Sequence, residues 1–319
     1  MRKVGVRPKR IIQRVIGLDL GGSQIRLAFI APKGQRSGEI LTVPVTNRDL
    51  KVVLTLLVDS IRRLQSGGSR PSAVGIGIPG FIRMDEARIY RSPNFPGWKN
   101  VPIRDLLETR LNCPVFVEND ANAAAFGESW VGCGKGLSSL LYLGLGTGVG
   151  GGIILDGRVW HGREGLAAEL GHITIDPDGP VCGCGNRGCL ESYSSATAVV
   201  RSYIEKTGRA RPDLTAQDVN LLARRGNQKA CAVFVELGRA LGIAIADLLN
   251  IFDPERIAIG GGVAEAWPLF HKPMMDEIGR RAVRPVRLNE KVRRSLLKNE
   301  AGMIGAAGLA YRHLGVKVF

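Results

Sequence analysis

The hydrophobic and polar positions of the first 120 residues follow two periods, which predict strands and helices. Residues 11–20 (IIQRVIGLDL) and 25–32 (IRLAFIAP) are apolar segments on either side of the turn GGSQ, and they predict a β-hairpin. From Arg48 to Gln65 apolar residues recur every three or four positions, which predicts an amphipathic helix. The segments AVGIGIPG and PVFVEN predict buried strands, separated by the loop SPNFPGWKN and a helix over residues 103–111.

The same order of elements begins again at Ser138. SSLLYLGLG predicts a strand, TGVGGG a turn and IILDGRV a second strand, so that one chain contains two glycine-rich hairpins. A helix over residues 229–250, a strand at ERIAIGGG and a small-residue helix over residues 303–313 follow. This duplication predicts an α/β protein of two similar halves, and the cleft between them is the expected ligand site.

The composition is that of a globular chain with enough length for one extended or two medium domains. Of its 319 residues, 45% are hydrophobic and 23% are charged. Apolar runs stop well before the ~18 residues of a membrane span, and the basic residues 1–14 contain no apolar signal core. We therefore expect a cytoplasmic protein without a membrane partner.

The formal net charge of +15 raises the question of a nucleic-acid partner. The positive charges gather in the N-terminal tail and between Arg280 and Lys298, and neither cluster is interleaved with aromatic residues that would stack on bases. This distribution favours solvated faces that attract anionic ligands over a specific nucleic-acid site.

The first glycine-rich turn is a candidate phosphate-binding site. Gly21 and Gly22 would let a phosphate approach backbone N–H groups, and the hydroxyl of Ser23 would add a donor. Asp19 is a candidate ligand for Mg²⁺, directly or through water. An ordinary hairpin turn explains this motif equally well.

Two further glycine clusters follow later strands. The second contains G-x-G-x-x-G, but it opens a strand rather than a helix, which excludes a dinucleotide-binding dehydrogenase and leaves Thr147 and Gly148 to face a nucleotide phosphate. The P-loop pattern G-x-x-x-x-G-K-[ST] does not occur in the sequence. In the third cluster, Gly261 and Gly262 either pack against an adenine or form a plain strand-to-helix turn.

Four candidate metal ligands lie within one short segment: His172, Cys182, Cys184 and Cys189. Three thiolates and an imidazole suit tetrahedral Zn²⁺, and the glycines between them allow a short loop to fold around the ion. Because all four positions are filled by protein, we expect a structural site in a reducing compartment rather than a catalytic metal. Three unliganded thiols with a core histidine are one weaker alternative. A nucleic-acid zinc finger is the other, and it is disfavoured because the cluster lies in the middle of the chain without a basic recognition helix.

Four polar residues are candidates for sugar binding and acid-base chemistry. Glu169 and Glu191 flank the cysteine-rich loop, and fixed carboxylates suit the hydroxyls of a polyhydroxylated ligand, although either is ordinarily a solvent-exposed side chain. Asn119 and Asp120 lie where a strand meets an Ala-rich helix, so one of them is explained as the N-cap. Asp120 is the candidate base, and we expect the helix N-terminus to keep it ionised and therefore weak.

Several strings of this sequence together resemble the ROK family of bacterial sugar kinases and repressors, above all its glucokinases, from Val15 to Leu314. The strings are DLGGSQIRLA, GIPGFI, SPNFPGW, VENDANAAAFGE, GLGTGVGGGII, AELGHI, CGCGNRGCLES and IAIGGGVAE. The combination of E-x-G-H with C-x-C-G-x-x-G-C-x-E is highly specific to that family.

The resemblance implies an actin-like ATPase fold, with two duplicated ribonuclease H-like α/β domains and an interdomain cleft. It implies that Asp120 is the catalytic base for a sugar 6-hydroxyl and that the following residues bind the sugar: Gly80, Asn94, Asn119, Glu169, His172 and Glu191. His172 would serve both zinc and sugar. Asp19 and the turn from Gly21 to Ser23 would meet the terminal phosphates and Mg²⁺, and Thr147 with Gly148 would form the second phosphate hairpin.

The implied activity is the ATP-dependent phosphorylation of glucose to glucose 6-phosphate. A kinase for N-acetylmannosamine, N-acetylglucosamine or fructose is the alternative, and a sugar-responsive repressor is disfavoured because only about fifteen residues precede the first predicted strand. Relatives imply a homodimer or a higher homo-oligomer. We expect a basic tail at 1–14, a small domain at 15–118, a large domain with the zinc loop at 119–302, and a C-terminal helix within 303–319 that packs back on the small domain.

Overall fold

A computed structural model describes residues 14–65, 70–208, 211–283 and 288–318. Most of the predicted basic tail, the start of the first predicted strand and part of the second basic cluster lie outside the described residues. Among the described residues, none of the helices combines the length and the apolar character that crossing a bilayer requires.

The first half is built on one mixed sheet. Its elements are β1 Val15–Leu20, β2 Gln24–Ile30, β3 Arg36–Pro44, α1 Leu50–Gln65, β4 Ala73–Ile78, β5 Phe81–Arg83, β6 Arg88–Arg91, β7 Lys99–Val101, α2 Ile103–Leu111, β8 Val115–Asn119 and α3 Asp120–Trp130. The strand order is β3-β2-β1-β4-β8, and β5, β6 and β7 form a separate small sheet. The strands β1, β4 and β8 run parallel, while β2 is antiparallel to both of its neighbours.

The second half repeats this plan. Its elements are β9 Leu140–Leu145, β10 Val149–Leu155, β11 Arg158–Val159, α4 Glu191–Ser194, α5 Ala196–Thr207, α6 Ala216–Arg224, α7 Gln228–Phe252, β12 Arg256–Gly260, α8 Trp267–Arg281, α9 Leu288–Lys291, β13 Val292–Arg294 and α10 Ala301–His313. Short 3-10 helices span Leu170–His172, Gly262–Ala266 and Lys298–Glu300. The order β11-β10-β9-β12-β13 has the same strand directions as the first sheet. The duplicated α/β fold predicted from the sequence is therefore confirmed.

Some predicted boundaries differ from those of the structure. The predicted turn TGVGGG is shorter than expected, since β10 already begins at Val149. The predicted strand IILDGRV is wrong as one element, because Asp156 and Gly157 adopt φ values of 49° and 67° and turn the chain between β10 and β11. An Asp-Gly pair is a hairpin signal, since both residues tolerate positive φ.

Helices α3 and α10 pack together between the two sheets. Phe126 and Trp130 of α3 share a buried apolar cluster with Met303 and Tyr311 of α10. The helices approach closely because of glycine, since a Cβ on Gly305 would overlap the carbonyl oxygen of Ala123. α10 also contacts β1 and β4 of the first half. The boundaries of the two domains stay a prediction.

A buried carboxylate fixes the far end of α3. Glu128 is fully buried, and it accepts hydrogen bonds from the N–H groups of Cys133, at 2.9 Å, and Leu297, at 2.8 Å, and from the hydroxyl of Ser295. Because an unpaired buried charge is costly, this set of donors holds the segment that leads into α10 against α3.

Candidate active site

The candidate residues collect at one edge of the two sheets. Parallel strands end at the same edge, so the ends of β1, β4 and β8 bring Asp19, Gly80 and Asp120 into one region. The ends of β9 and β12 bring the other two glycine clusters to the corresponding edge of the second sheet, where Gly261 lies against the carbonyl of Leu145.

Asn119, not Asp120, caps helix α3. The side-chain oxygen of Asn119 accepts hydrogen bonds from the N–H groups of Ala121, at 2.9 Å, and Asn122, at 3.1 Å. Its amide nitrogen donates to the carbonyl of Gly80 at 3.2 Å. The cap is therefore complete without Asp120, whose Oδ1 accepts one backbone hydrogen bond, from Ala121 at 2.9 Å.

The environment of Asp120 differs from the one expected from the sequence. Burial raises the pKa of Asp120 to about 6, although backbone N–H groups of Ala121 and of Asp120 itself lower it. The helix N-terminus was expected to keep this carboxyl a weak base, but desolvation outweighs the hydrogen bonds. Asp120 is consequently a stronger base than an exposed aspartate.

Asp19 faces the same charged region. The pKa of Asp19 is raised to about 7, because burial and the charge of Asp120 raise it by more than Arg26 lowers it. The Nη1 atom of Arg26 lies 3.7 Å from Oδ2 of Asp19. A carboxyl group whose pKa is raised by a neighbouring carboxylate is suited to a divalent cation, which removes the penalty of the second negative charge.

The first glycine turn is held by local hydrogen bonds. The N–H of Gly21 donates to the carbonyl of Gln24 at 2.9 Å, and the carbonyl of Ser23 accepts from Val45 at 2.8 Å. Gly22 lies against Asn94, since a Cβ there would stand 2.9 Å from the Nδ2 atom of Asn94. Asn94 is thus adjacent to the turn that was predicted to bind phosphate.

Three carboxylates converge on the side of the second half. Burial raises the pKa of Glu169, the charges of Asp120 and Glu191 raise it further, and His172 lowers it. The Oε2 atom of Glu191 accepts the N–H of Val149 at 2.8 Å, directly beside Gly148. Glu191 therefore contacts the second glycine hairpin while it lies within electrostatic reach of Glu169.

The predicted zinc ligands meet at one point. The ligand atoms of the four residues lie within 4.8 Å of one another: His172, Cys182, Cys184 and Cys189. The Sγ atoms of Cys184 and Cys189 are 3.8 Å apart, and Nδ1 of His172 is 3.7 Å from Sγ of Cys182. Tetrahedral Zn²⁺ with Zn–S bonds of about 2.3 Å places its sulfur ligands about 3.8 Å apart. The donor set and its spacing fit that ion.

The same loop is joined to the carboxylates. The Nε2 atom of His172 lies 3.9 Å from Oε2 of Glu169, so the two ring nitrogens of His172 face different groups. The Sγ atom of Cys182 is 3.6 Å from Oε1 of Glu191. Gly188 has a φ of 62° and lies against the carbonyl of Asp176, where a side chain would collide.

The second glycine hairpin opens onto a cavity. The N–H of Gly146 donates to the carbonyl of Gly148 at 2.9 Å, and the hydroxyl of Thr197 donates to the carbonyl of Thr147 at 3.0 Å. Thr197 is also part of the wall of a cavity of about 540 Å³ between α5 and α6, together with Ala196, Val200, Arg201, Ile204, Glu205, Thr215 and Ala216. Gly262 has open space around its Cα.

Sequence reasoning missed two residues that shape this region. Glu118 was read only as part of a strand, yet it is buried, and its Oε1 accepts the N–H of Asn119 at 2.9 Å. The signal was a charged residue inside an otherwise apolar strand, because a buried charge requires partners. Its partner His161 carried no local signal, since it lies more than forty positions away.

The chain is similar to known proteins over most of its length. The model of the ROK family matches residues 15–313. The chain is 38% identical to a glucokinase of Halalkalibacterium halodurans, over 92% of this chain and 94% of that protein. It is 31% identical to a xylose repressor of Caldicellulosiruptor bescii, over 97% of this chain and 80% of that protein.

Two solved structures are close in fold. One is a ROK hexokinase from Thermus thermophilus, with 35% identity, a TM-score of 0.81 and coverage of 95% of this chain and 99% of that chain. The other is a ROK family glucokinase from Streptomyces griseus in complex with glucose and AMPPNP, with 34% identity, a TM-score of 0.82 and coverage of 94% and 99%.

Proposed function

The chain belongs to the ROK family, and on that premise we propose that it transfers the terminal phosphoryl group of ATP to the 6-hydroxyl of glucose. Glucokinase and hexokinase relatives support an ATP-dependent hexose kinase with the actin-like fold. The observation that carries the proposal is the position of Asp120, a half-buried carboxyl with a pKa of about 6 between two glycine-rich turns.

Asp120 acts as the base in the proposed reaction. The oxygen of the 6-hydroxyl forms a bond to the terminal phosphorus, the bond from that phosphorus to the ADP oxygen breaks, and the hydroxyl proton passes to the carboxylate of Asp120. In phosphoryl transfer, orientation of the nucleophile contributes more than early removal of its proton. The hydrogen bond from Ala121 leaves Oδ2 of Asp120 for this task.

The sugar is held by groups that surround Asp120. The remaining hydroxyls find donors and acceptors in five side chains: Asn94, Asn119, Glu169, His172 and Glu191. Gly80 acts through Asn119, since its carbonyl accepts the Asn119 amide. Its φ of 130° and the close approach of the Arg91 carbonyl exclude a side chain there.

The nucleotide lies along the two glycine turns. Gly21, Gly22 and Ser23 meet the terminal phosphates from one side, and Thr147 and Gly148 from the other. Asp19 would hold Mg²⁺, which would neutralise part of the charge that develops on the transferred group.

The base of the nucleotide lies beyond the second glycine turn. Thr197 lines the cavity between α5 and α6 and contacts this turn, and the largely apolar wall of the cavity suits an adenine. Gly261 and Gly262 are proposed to pack against the same base. Contact between Thr197 and the Thr147 carbonyl therefore couples the position of the base to that of the phosphates.

Zinc is proposed to have a structural role at His172, Cys182, Cys184 and Cys189. These four residues would hold the ion, which would fix the loop from which Glu191 and His172 reach the sugar and would supply no step of the transfer. Its contribution is positional, because Cys182 contacts Glu191 and His172 faces Glu169.

An ADP-release assay over a sugar panel tests the proposed substrate. The panel contains glucose, mannose, fructose, N-acetylglucosamine and N-acetylmannosamine, and we expect the highest kcat/KM with glucose. A higher value with an N-acetylhexosamine would replace glucose as the substrate while leaving the kinase reaction in place.

Repressors in the same family make DNA binding the second candidate function. Turnover and DNA-binding assays on the same protein preparation distinguish the two functions. Turnover without salt-sensitive, sequence-specific DNA retention supports the kinase, whereas specific retention without turnover on any sugar would contradict it.

A further inference from the structure

A hydrogen-bonded pair of a buried glutamate and a half-buried histidine joins the two halves beside the candidate active site. Glu118, near the end of β8, is 4% exposed, and its Oε2 atom lies 2.8 Å from Nε2 of His161, which follows β11 in the second half. A carboxylate that leaves water needs such partners, because an unpaired buried charge is strongly unfavourable.

The other oxygen of Glu118 supports the segment that carries the candidate base. Its Oε1 atom accepts hydrogen bonds from the N–H of Asn119, at 2.9 Å, and from the side-chain amide of Asn122, at 3.2 Å. Asp120 lies between these two residues in the chain. The carboxylate of Glu118 therefore links His161 to the strand end from which Asn119 and Asp120 project.

His161 begins a loop that crosses from the second half to the first. Its carbonyl accepts the N–H of Ala167 at 3.1 Å, and Gly165 within the loop lies against the carbonyl of Ile82 in β5, where a Cβ would approach to 2.9 Å. The loop ends at Glu169. The loop therefore contacts the first half at two residues, His161 and Gly165, before it reaches Glu169, a proposed sugar ligand.

We propose that His161 is a positioning residue for sugar binding, which holds the loop of residues 161–168 against the first half so that Glu169 faces Asn119 and Asp120. This inference rests on the proposed sugar kinase function. It assigns to His161 no contact with the reacting atoms.

The charge of His161 strengthens this link. Burial lowers the pKa of His161, but the hydrogen bond and the charge of Glu118 outweigh burial, so that its pKa lies above the ordinary value. The other titratable or charged groups nearby are His313 and Arg312 of α10, and Arg163 and Glu164 in the loop itself. Burial lowers the pKa of His313, so it titrates below His161.

The direction of the pH effect follows from these shifts. The cationic form of His161 is favoured by Glu118 and is lost as the pH rises through its raised pKa. Sugar affinity should therefore decrease on the alkaline side of the ordinary histidine value. Asp120 and Asp19, whose pKa values are raised to about 6 and about 7, lose their protons in the lower part of the same range, and their titration acts in the opposite direction.

The test measures sugar affinity and turnover in wild type, His161→Gln and His161→Ala. The dissociation constant for glucose is measured by calorimetry and KM and kcat by ADP release, between pH 6 and pH 9. A charge-assisted hydrogen bond corresponds to roughly 10-fold or more in affinity. We expect His161→Ala to raise the dissociation constant and KM roughly 10-fold with kcat within about 3-fold. His161→Gln, which keeps a donor, should have a smaller effect.

The pH profile distinguishes positioning from a general loss of stability. Above pH 7, wild-type glucose affinity should decline as the pH rises to 9, and this decline should be absent in His161→Gln. His271→Gln is the matched control, because His271 lies on α8 beside Trp267 and far from the loop in sequence. It should keep both the affinity and the pH profile of the wild type.

Three results would overturn the inference. These are unchanged affinity in both His161 variants, a lower kcat at unchanged affinity, and a pH-dependent decline that persists in His161→Gln. Circular dichroism and the melting temperature establish that the variants fold, and His161→Gln carries the test if His161→Ala does not. Failure of the proposed kinase function can be distinguished from failure of this inference. It would appear as absent turnover in the wild type, whereas the glucose dissociation constants from calorimetry would still test the role of His161.

Discussion

The pH dependence of sugar turnover follows directly from the burial of Asp120. Burial raises the pKa of this carboxyl from 3.8 to about 6, and only its ionised form accepts a proton from the sugar hydroxyl. Lowering the pH from 7 to 5 therefore reduces the ionised fraction from about nine-tenths to about one-tenth. An aspartate with an ordinary pKa would lose less than about a tenth of its ionised form over the same range.

The measurement is kcat/KM for the sugar at saturating Mg²⁺ and ATP, between pH 5 and pH 8. Saturation with the metal and nucleotide matters because Asp19 also has a raised pKa, near 7, and a bound cation would shift its titration to lower pH. Phosphorylated product is quantified in stopped samples, so that the pH sensitivity of coupling enzymes does not enter. We expect a decrease of about 8- to 10-fold from pH 7 to pH 5.

The variant Asp120→Asn supplies the control. It should lower kcat by roughly 10²-fold or more, and its residual activity should lack the acidic decline. A wild-type profile that stays flat down to pH 5, or an acidic decline of the same size in Asp120→Asn, would refute the assignment of Asp120 as the base.

Three further expectations concern stability and metal. Asp120→Asn should melt at a higher temperature than the wild type at pH 8, because a carboxyl with a raised pKa destabilises the folded state above that pKa. The ordinary pKa of 3.8 and the folded-state pKa of about 6 imply a difference in unfolding free energy of up to about 3 kcal/mol. Scanning calorimetry should show the difference in melting temperature between the two proteins disappearing near pH 4. Protein purified without added zinc should contain about one equivalent by metal analysis, and its removal by a chelator should raise the sugar KM more than it lowers kcat; full activity without metal would contradict the structural role. Gly305→Ala should destabilise the protein by about 1–3 kcal/mol in denaturant unfolding, because the added Cβ overlaps the carbonyl of Ala123. Gly279→Ala is the matched control, because Gly279 lies in a helix and a Cβ there meets open space; this substitution should be neutral or slightly stabilising. Equal effects of the two substitutions would contradict the stabilising role of the close contact between α3 and α10.

Local sequence patterns predicted the features that depend on a few neighbouring residues. The glycine turns at Gly21 and Gly148 were predicted from short motifs at strand ends, and the cysteine spacing predicted a cluster that the structure brings together. The duplicated sheets followed from two similar hairpins. In each case the physical requirement, a tight turn or a set of ligand atoms, is met within one short segment.

Features that depend on distant segments were not predicted. The pairing of Glu118 with His161 joins β8 to a loop of the other half, and no local pattern connects them. The acidity of Asp120 was predicted from its helix N-terminus, but desolvation depends on the packing of both halves around it. Strand β3 is mostly exposed, so it lacks the continuous apolar segment by which β1 and β2 were predicted.

The crossing of α3 and α10 has a consequence for how the two halves can move relative to each other. Asp120 begins α3, Asp19 lies against Gly302 in the first turn of α10, and Glu128 anchors the opposite end of α3. A rocking motion centred on this crossing would leave the two acids near the fulcrum, while the outer rims of the halves sweep the widest arc. Substitutions at the rim would then tune how fast substrates enter and products leave, with little disturbance of the transfer itself.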